Sequence, residues 1–156
     1  MKTIFILLLA MALSISSVAN VSSGKKSGSI VDMVRSVARN HKLDWKLVIA
    51  VAVIESNFNP HAKSKDGKDH GLMQIRKVHL KGTGLPIAAL YNSKVNLQIG
   101  CKYLSYLIKK HGLDGGIQAY NIGERKYAKG TRSRSYLYKV KNVYRGIEIV
   151  SPGPFR

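Results

Sequence analysis

A mainly helical fold built around one buried central helix is what this sequence predicts, and three observations carry the prediction. Between Trp45 and Ile54 every residue but Lys46 is apolar, which for a helix means burial on nearly all sides rather than along one stripe. Two further stretches, from Ile30 and from Tyr136, repeat apolar residues at helical spacing. No segment alternates apolar and polar residues as a half-buried strand would, and there is no internal repeat or heptad array. Any strand is therefore expected only in a small ribbon within the region from His61 to Ile75.

The chain opens with Lys2, an uncharged apolar run from Ile4 to Ala12, and then the small residues Ser17, Val18 and Ala19. This pattern reads as a secretory signal peptide over residues 1–19, cleaved after Ala19. The run is too short for a bilayer span, so no stable membrane span is expected after processing; an uncleaved anchor is the alternative. The place of action is then periplasmic or secreted. Residues 20–29 are rich in Ser, Gly and Lys and read as a flexible leader, residues 30–150 as the folded domain, and residues 151–156 as a tail.

The first helix is expected over Ile30 to Asn40, capped by Ser29, with Ile30, Val31, Val34, Val37 and Ala38 on one face. Asp44 caps the central helix, and Pro60 forces Asn59 out of helical geometry, so that helix stops near Ser56. Glu55 then lies in its last turn. An apolar neighbourhood and the negative end of the helix both disfavour its charged form. A carboxylic acid that stays protonated near neutral pH can protonate a leaving-group oxygen. A solvent-facing or lysine-paired Glu is the competing reading.

From His61 to His70 the chain is polar apart from Ala62, with a turn at Asp66-Gly67. His61, His70, Asp66 and Asp69 match no structured metal spacing, and no metal or other cofactor is expected. Gly71-Leu72-Met73-Gln74-Ile75 is apolar around one amide, which either lines a polar site or is satisfied in the core. Lys81-Gly82-Thr83-Gly84 with Pro86 reads as irregular. A helix from Lys94 to Lys110 ends at Gly112, and Asp114 is expected to cap the next, which leads into Tyr120, Asn121 and Gly123. Arg125 to Ser135 reads as a basic loop. The last helix keeps Tyr136, Val140, Val143, Tyr144 and Ile147 on one face and ends before Pro152. Cys101, the single cysteine, excludes an intramolecular disulfide; its spacing with Leu97, Leu104 and Ile108 makes it a buried thiol rather than a nucleophile.

A formal charge of +18 on 156 residues points to an anionic partner. Export and the lack of an aromatic-interleaved basic motif argue against nucleic acid, and bacterial cell wall or anionic surface polymers fit better. Charge that serves only solubility is the plain alternative.

Taken in order, Glu55-Ser56, Ser64, Gly71 to Ile75, Asn96 with Gly100 and Tyr103-Leu104, Ala119-Tyr120-Asn121 with Gly123, and Arg134 with Tyr136 and Val140 resemble the soluble-type (SLT domain) lytic transglycosylases of the lysozyme-like superfamily. The resemblance spans nearly the whole chain after the leader. His79-Leu80 and the short length resemble more particularly the small members that serve secretion, pilus or conjugation machines, or phage particles.

The resemblance implies cleavage of the β-1,4 bond between N-acetylmuramic acid and N-acetylglucosamine in peptidoglycan, leaving a 1,6-anhydromuramyl end, by a monomer. It makes Glu55 the catalytic acid and then base, and it assigns Ser64, Met73, Gln74, Tyr120, Asn121 and Tyr136 to the sugar site or its surroundings; read from the residues alone, Met73 is core, and the alternatives are Ser64 as a turn residue, Gln74 as a satisfied core amide, Tyr136 as ordinary packing, and Tyr120 with Asn121 as a helix end. The acids after Glu55 are Asp66, Asp69, Asp114, Glu124 and Glu148, none in a setting like that of Glu55, and this scarcity favours a single-acid mechanism over a two-carboxylate hydrolase. Asp66 or Asp69 folding back toward Glu55 would change that. One departure stands out: Arg132-Ser133-Arg134 occurs where many members carry Glu-Thr-Arg. A goose-type-lysozyme-like hydrolase and a non-catalytic cationic wall-binding or assembly protein are the alternatives.

Overall fold

The computed structural model describes residues 29–150, with only the backbone of Val150. The expected signal peptide, nearly all of the leader, and the tail at residues 151–156 lie outside the described residues. Helix α1, Ile30–Asn40, begins in a capping box: Ser29 Oγ accepts from the Asp32 amide, and the Asp32 carboxylate accepts from the Ser29 amide. Its apolar face buries Val34, Val37 and Ala38.

Helix α2, Trp45–Ser56, starts where Asp44 accepts from the Lys46 amide at 2.8 Å. Leu47 to Ala52 are all buried, as the unbroken apolar run requires. At about 1.5–3 kcal/mol for each large apolar side chain, Leu47, Val48, Ile49 and Val51 make this helix a major contributor to the core. Its end is sharper than Pro60 alone would make it. Asn57 and Phe58 both adopt left-handed backbone, φ 53° and 60°, and the Phe58 amide closes back on the Ala52 carbonyl in the manner of a Schellman cap.

The ribbon is minimal. Strands β1, Asp69–His70, and β2, Ile75–Arg76, pair antiparallel with Asp69 opposite Arg76 and His70 opposite Ile75. Gly71 to Gln74 form the link between them. Short 3-10 turns follow at Lys77–Leu80 and Ile87–Tyr91, flanking the irregular segment.

Helix α3, Ser93–Ile122, is capped by Asn92 and broken at Gly112, whose φ of 72° and ψ of 172° are not helical. The expected stop at Gly112 is thus a corner between two limbs. The limbs touch closely: a Cβ on Gly116 would lie 2.6 Å from Ile108 backbone atoms. Asp114, expected as a cap, instead accepts from Lys141 Nζ at 2.7 Å. Cys101 is buried among core residues, and burial pushes its thiol up to about 12.

The segment expected as a basic loop is partly helical. Helix α4, Glu124–Ala128, begins one residue before it and takes up its first four residues, and α5, Arg134–Val150, starts two residues before Tyr136. Glu124 makes the difference, because it accepts from Lys110 and Tyr106 on α3 and so pins a turn that has no apolar stripe of its own. Helix α5 packs across α2 more extensively than any other pair of elements. The fold is mainly helical, as expected, with one two-stranded ribbon among the described residues.

Candidate active site

The left-handed exit from α2 turns the chain away from the core and leaves Glu55 at the wall of a cleft of about 360 Å³. Asp69, Gln74, Arg76, His79, Tyr103, Tyr120, Asn121 and Lys126 also line it. Burial raises the Glu55 carboxyl to about 7, with the nearby Asp69 carboxylate adding to the rise and a hydrogen bond from Tyr136 opposing it. Tyr136 Oη donates to Glu55 Oε1 at 2.5 Å. Tyr136 is itself only 7% exposed and is held well above the usual phenol range, chiefly by burial. It therefore remains a donor to Glu55 at any physiological pH.

The link from Gly71 to Gln74 is locked from three sides. Asn96, fully buried on α3, accepts from the Met73 amide and donates to the carbonyls of His70 and Leu90, all at 2.7–2.8 Å. A Cβ at position 71 would sit 2.3 Å from both Asn96 Nδ2 and the Leu90 carbonyl oxygen, and its φ is 74°; only glycine meets both conditions. Ser56 Oγ donates to the Leu72 carbonyl at 2.8 Å, joining this link to the end of the helix that carries Glu55.

Met73 is fully buried, its sulfur directly over Gly100, where a Cβ would lie 2.4 Å away. It is a core residue, but its carbonyl accepts from Tyr120 Oη at 2.8 Å and so fixes that ring in the cleft wall. Gln74, in left-handed backbone at φ 48°, donates through Nε2 to the Gly71 and Ala62 carbonyls. Asn121 accepts from Ser133 Oγ at 2.8 Å.

Ser64 is not among the residues lining the cleft. Its hydroxyl accepts from the amides of Lys68 and Asp69 and donates to Asp66. Ser64 and Lys68 hold the Asp66 carboxyl well below the usual range. Ser64 is thus a turn organiser that presents Asp69. Arg132 lies apart from Glu55's partners as well: its guanidinium stacks 4.1 Å from the Tyr127 ring and donates to the Tyr127 and Thr131 carbonyls. The base that replaces the usual acid closes a loop instead of pairing with a charge.

Five charged or aromatic lining residues, Asp69, Arg76, His79, Tyr103 and Lys126, were missed as site residues. Asp69 folds back beside Glu55, and Arg76 grips it with two nitrogens, at 2.6 and 3.3 Å. His79 packs on Tyr103 at a ring distance of 4.4 Å, and Tyr103 leads to Tyr120 at 5.6 Å, a continuous aromatic surface. Burial, and then Arg76, lower the His79 pKa. Lys126 completes the set.

The repulsion of Glu55 by Asp69 has a measurable consequence. Asp69→Asn removes a negative charge and leaves the Arg76 cation unpaired, and both changes favour ionised Glu55. An activity that needs protonated Glu55 falls as pH rises through its pKa. In this variant the fall is therefore expected at lower pH than in the parent, whereas mere loss of folded protein would depress the whole pH profile without moving it.

A family model for the transglycosylase SLT domain matches residues 32–142. Membrane-bound lytic murein transglycosylase E of Buchnera aphidicola subsp. Acyrthosiphon pisum (strain APS) is 39% identical over 88 residues, covering 51% of this chain and 39% of that protein. Membrane-bound lytic murein transglycosylase C of Edwardsiella ictaluri (strain 93-146) is 32% identical over 114 residues, covering 67% of this chain and 30% of that protein. The chain therefore spans about two fifths or less of the length of these relatives. Among solved structures, an inactive mutant of lytic transglycosylase Slt from Pseudomonas aeruginosa has a similar fold, with a TM-score of 0.62 at 24% identity over 77% of this chain and 23% of that one. The family model runs from the first turn of α1 well into α5, across every element that builds the cleft, and the chain belongs to the transglycosylase SLT domain family.

Proposed function

We propose that this protein cleaves the β-1,4 bond between N-acetylmuramic acid and N-acetylglucosamine in peptidoglycan without water. The observation that carries the reading is Glu55 itself: a cleft carboxyl raised to about 7 by burial, with Tyr136 donating to one oxygen. In this mechanism the protonated Glu55 gives its proton to the glycosidic oxygen as the bond to the muramyl C1 breaks. The resulting carboxylate takes the proton from the same sugar's C6 hydroxyl, whose oxygen closes onto C1. The products are a 1,6-anhydromuramyl end and a free hydroxyl on the departing N-acetylglucosamine, and Glu55 is again protonated. A pKa close to the working pH suits a group that must act in both directions. Tyr136, bonded to Oε1, holds the carboxyl's orientation through the cycle, while Gln74, Asn121 and the surface formed by His79, Tyr103 and Tyr120 receive the sugars.

Asp69 favours a second reading, hydrolysis of the same bond. A retaining or inverting hydrolase needs a second carboxylate across the scissile bond, and Asp69 lines the cleft with Glu55. Its two-pronged engagement by Arg76 weighs against a nucleophilic role. Both readings predict that the protein clears a suspension of purified sacculi and releases soluble muropeptides. A protein that binds sacculi and releases nothing would instead be a wall-binding or assembly factor.

The apolar run from Ile4 to Ala12 supports action in the periplasm or outside the cell. Service to a secretion, pilus or conjugation apparatus is the furthest part of the reading, supported by His79-Leu80 and the compact folded region.

A further inference from the structure

The charged side chains of the cleft differ in one respect. Glu55 is bonded by Tyr136, and Asp69 and Arg76 are paired with each other. Glu124, the acid nearest to Lys126 in sequence, is held by Lys110 and Tyr106, with His111 Nε2 at 3.6 Å. Lys126 is exposed, lines the cleft, and has no acidic partner among the described residues. Its helix is anchored on both sides of it, through Glu124 and through Tyr127, which meets His111 and Arg132, so the ammonium group is carried on a fixed base.

The sugar rings of a glycan strand carry no charge, so an unmatched ammonium group in the cleft offers them little beyond a hydrogen bond. The muramyl ring, however, bears a lactyl substituent that ends in a carboxylate, or in a peptide with carboxylates of its own. We propose that Lys126 is a specificity-determining residue that binds a carboxylate carried by the lactyl arm of the muramyl ring, and so selects muramyl-containing strands over neutral N-acetylglucosamine polymers. This rests on the reading of the cleft as a peptidoglycan site. A carboxylate held there also fixes which sugar lies beside Glu55, since only every second ring of the strand bears the arm.

The test is binding, measured by calorimetry in the Glu55→Gln background so that no strand is consumed. Three probes of equal length are used: peptide-bearing strands, strands stripped of peptide by an amidase and therefore ending in free lactyl carboxylates, and chitin oligomers without carboxylates. Lys126→Met is expected to weaken binding of at least one carboxylate-bearing probe about 5- to 10-fold and to leave chitin oligomers unchanged. Lys126→Arg is expected to restore most of the loss, and added salt to erase the difference. Loss confined to peptide-bearing strands assigns the contact to the peptide, and loss confined to stripped strands assigns it to the lactyl group. Equal weakening of all three probes, or of none, overturns the proposal while leaving the reading of the cleft intact. A parent that binds none of the three, and whose Glu55 form clears no sacculi, overturns both.

Discussion

Glu55→Gln is expected to lower turnover of purified sacculi by about 10²–10⁴-fold or more, with the far-ultraviolet spectrum and melting temperature close to those of the parent. Glutamine has nearly the same shape, and its carbonyl oxygen can still accept from Tyr136, the bond that Glu55 Oε1 now accepts at 2.5 Å. It lacks a proton to give to a leaving oxygen and cannot take one back. The burial that raises the native carboxyl to about 7 penalises a charged group and spares a neutral amide, so the change is not expected to destabilise the fold. Binding of strands should persist. Retained turnover in a folded Glu55→Gln protein would remove the basis for both enzymatic readings.

Asn96→Ala is expected to have the largest effect on stability. The side chain is fully buried and makes three bonds, to the Met73 amide and to the carbonyls of His70 and Leu90. Truncation leaves backbone groups from three segments without partners in a site water cannot easily reach, at about 1–3 kcal/mol for each group left unsatisfied. With partial relaxation, a net loss of about 3 kcal/mol follows, or roughly 10 °C in melting temperature for a domain of this size. Activity should fall as well, because the same bonds hold Met73, whose carbonyl positions Tyr120, beside Gln74. Thermal denaturation followed by circular dichroism checks the first expectation. A shift of only one or two degrees would mean that these bonds matter less than their burial implies.

How legible the molecule is in its sequence depends on the range of the cause. The central helix was readable because ten nearly uniform residues determine its environment locally, and Glu55 could be placed in its last turn for the same reason. Tyr136 was readable as a position, but its bond to Glu55, between residues 81 apart in sequence, depends on how α5 crosses α2. Asp69 illustrates the opposite case. It sits in a lysine-rich polar stretch that reads as solvated surface, and its arrival in the cleft depends on a ribbon of two-residue strands, too short for any periodic signal. The one available hint was that Asp69 and Arg76 flank the apolar link symmetrically, which a hairpin register brings face to face.

Ser64 shows a residue legible in kind but not in place: its hydroxyl is taken by the amides that shape the turn, so it acts on the site through Asp69. Helix α4 was unreadable because its support, the bonds from Lys110 and Tyr106 to Glu124, is tertiary. Gly115 and Gly116 carry a local signal, since adjacent glycines inside a helix are tolerated where other atoms must approach closely: the Tyr127 hydroxyl at Gly115 and the Ile108 backbone at Gly116.

The most direct test of the proposed chemistry is the structure of the sugar ends released from sacculi, read by mass spectrometry of the soluble muropeptides. Proton donation and recovery by a single Glu55 predicts 1,6-anhydromuramyl ends, lighter by one water than hydrolytic products and resistant to borohydride reduction. Reducing muramyl ends would contradict it and establish hydrolysis, with Asp69, which lines the cleft with Glu55, as the first carboxylate to test by substitution.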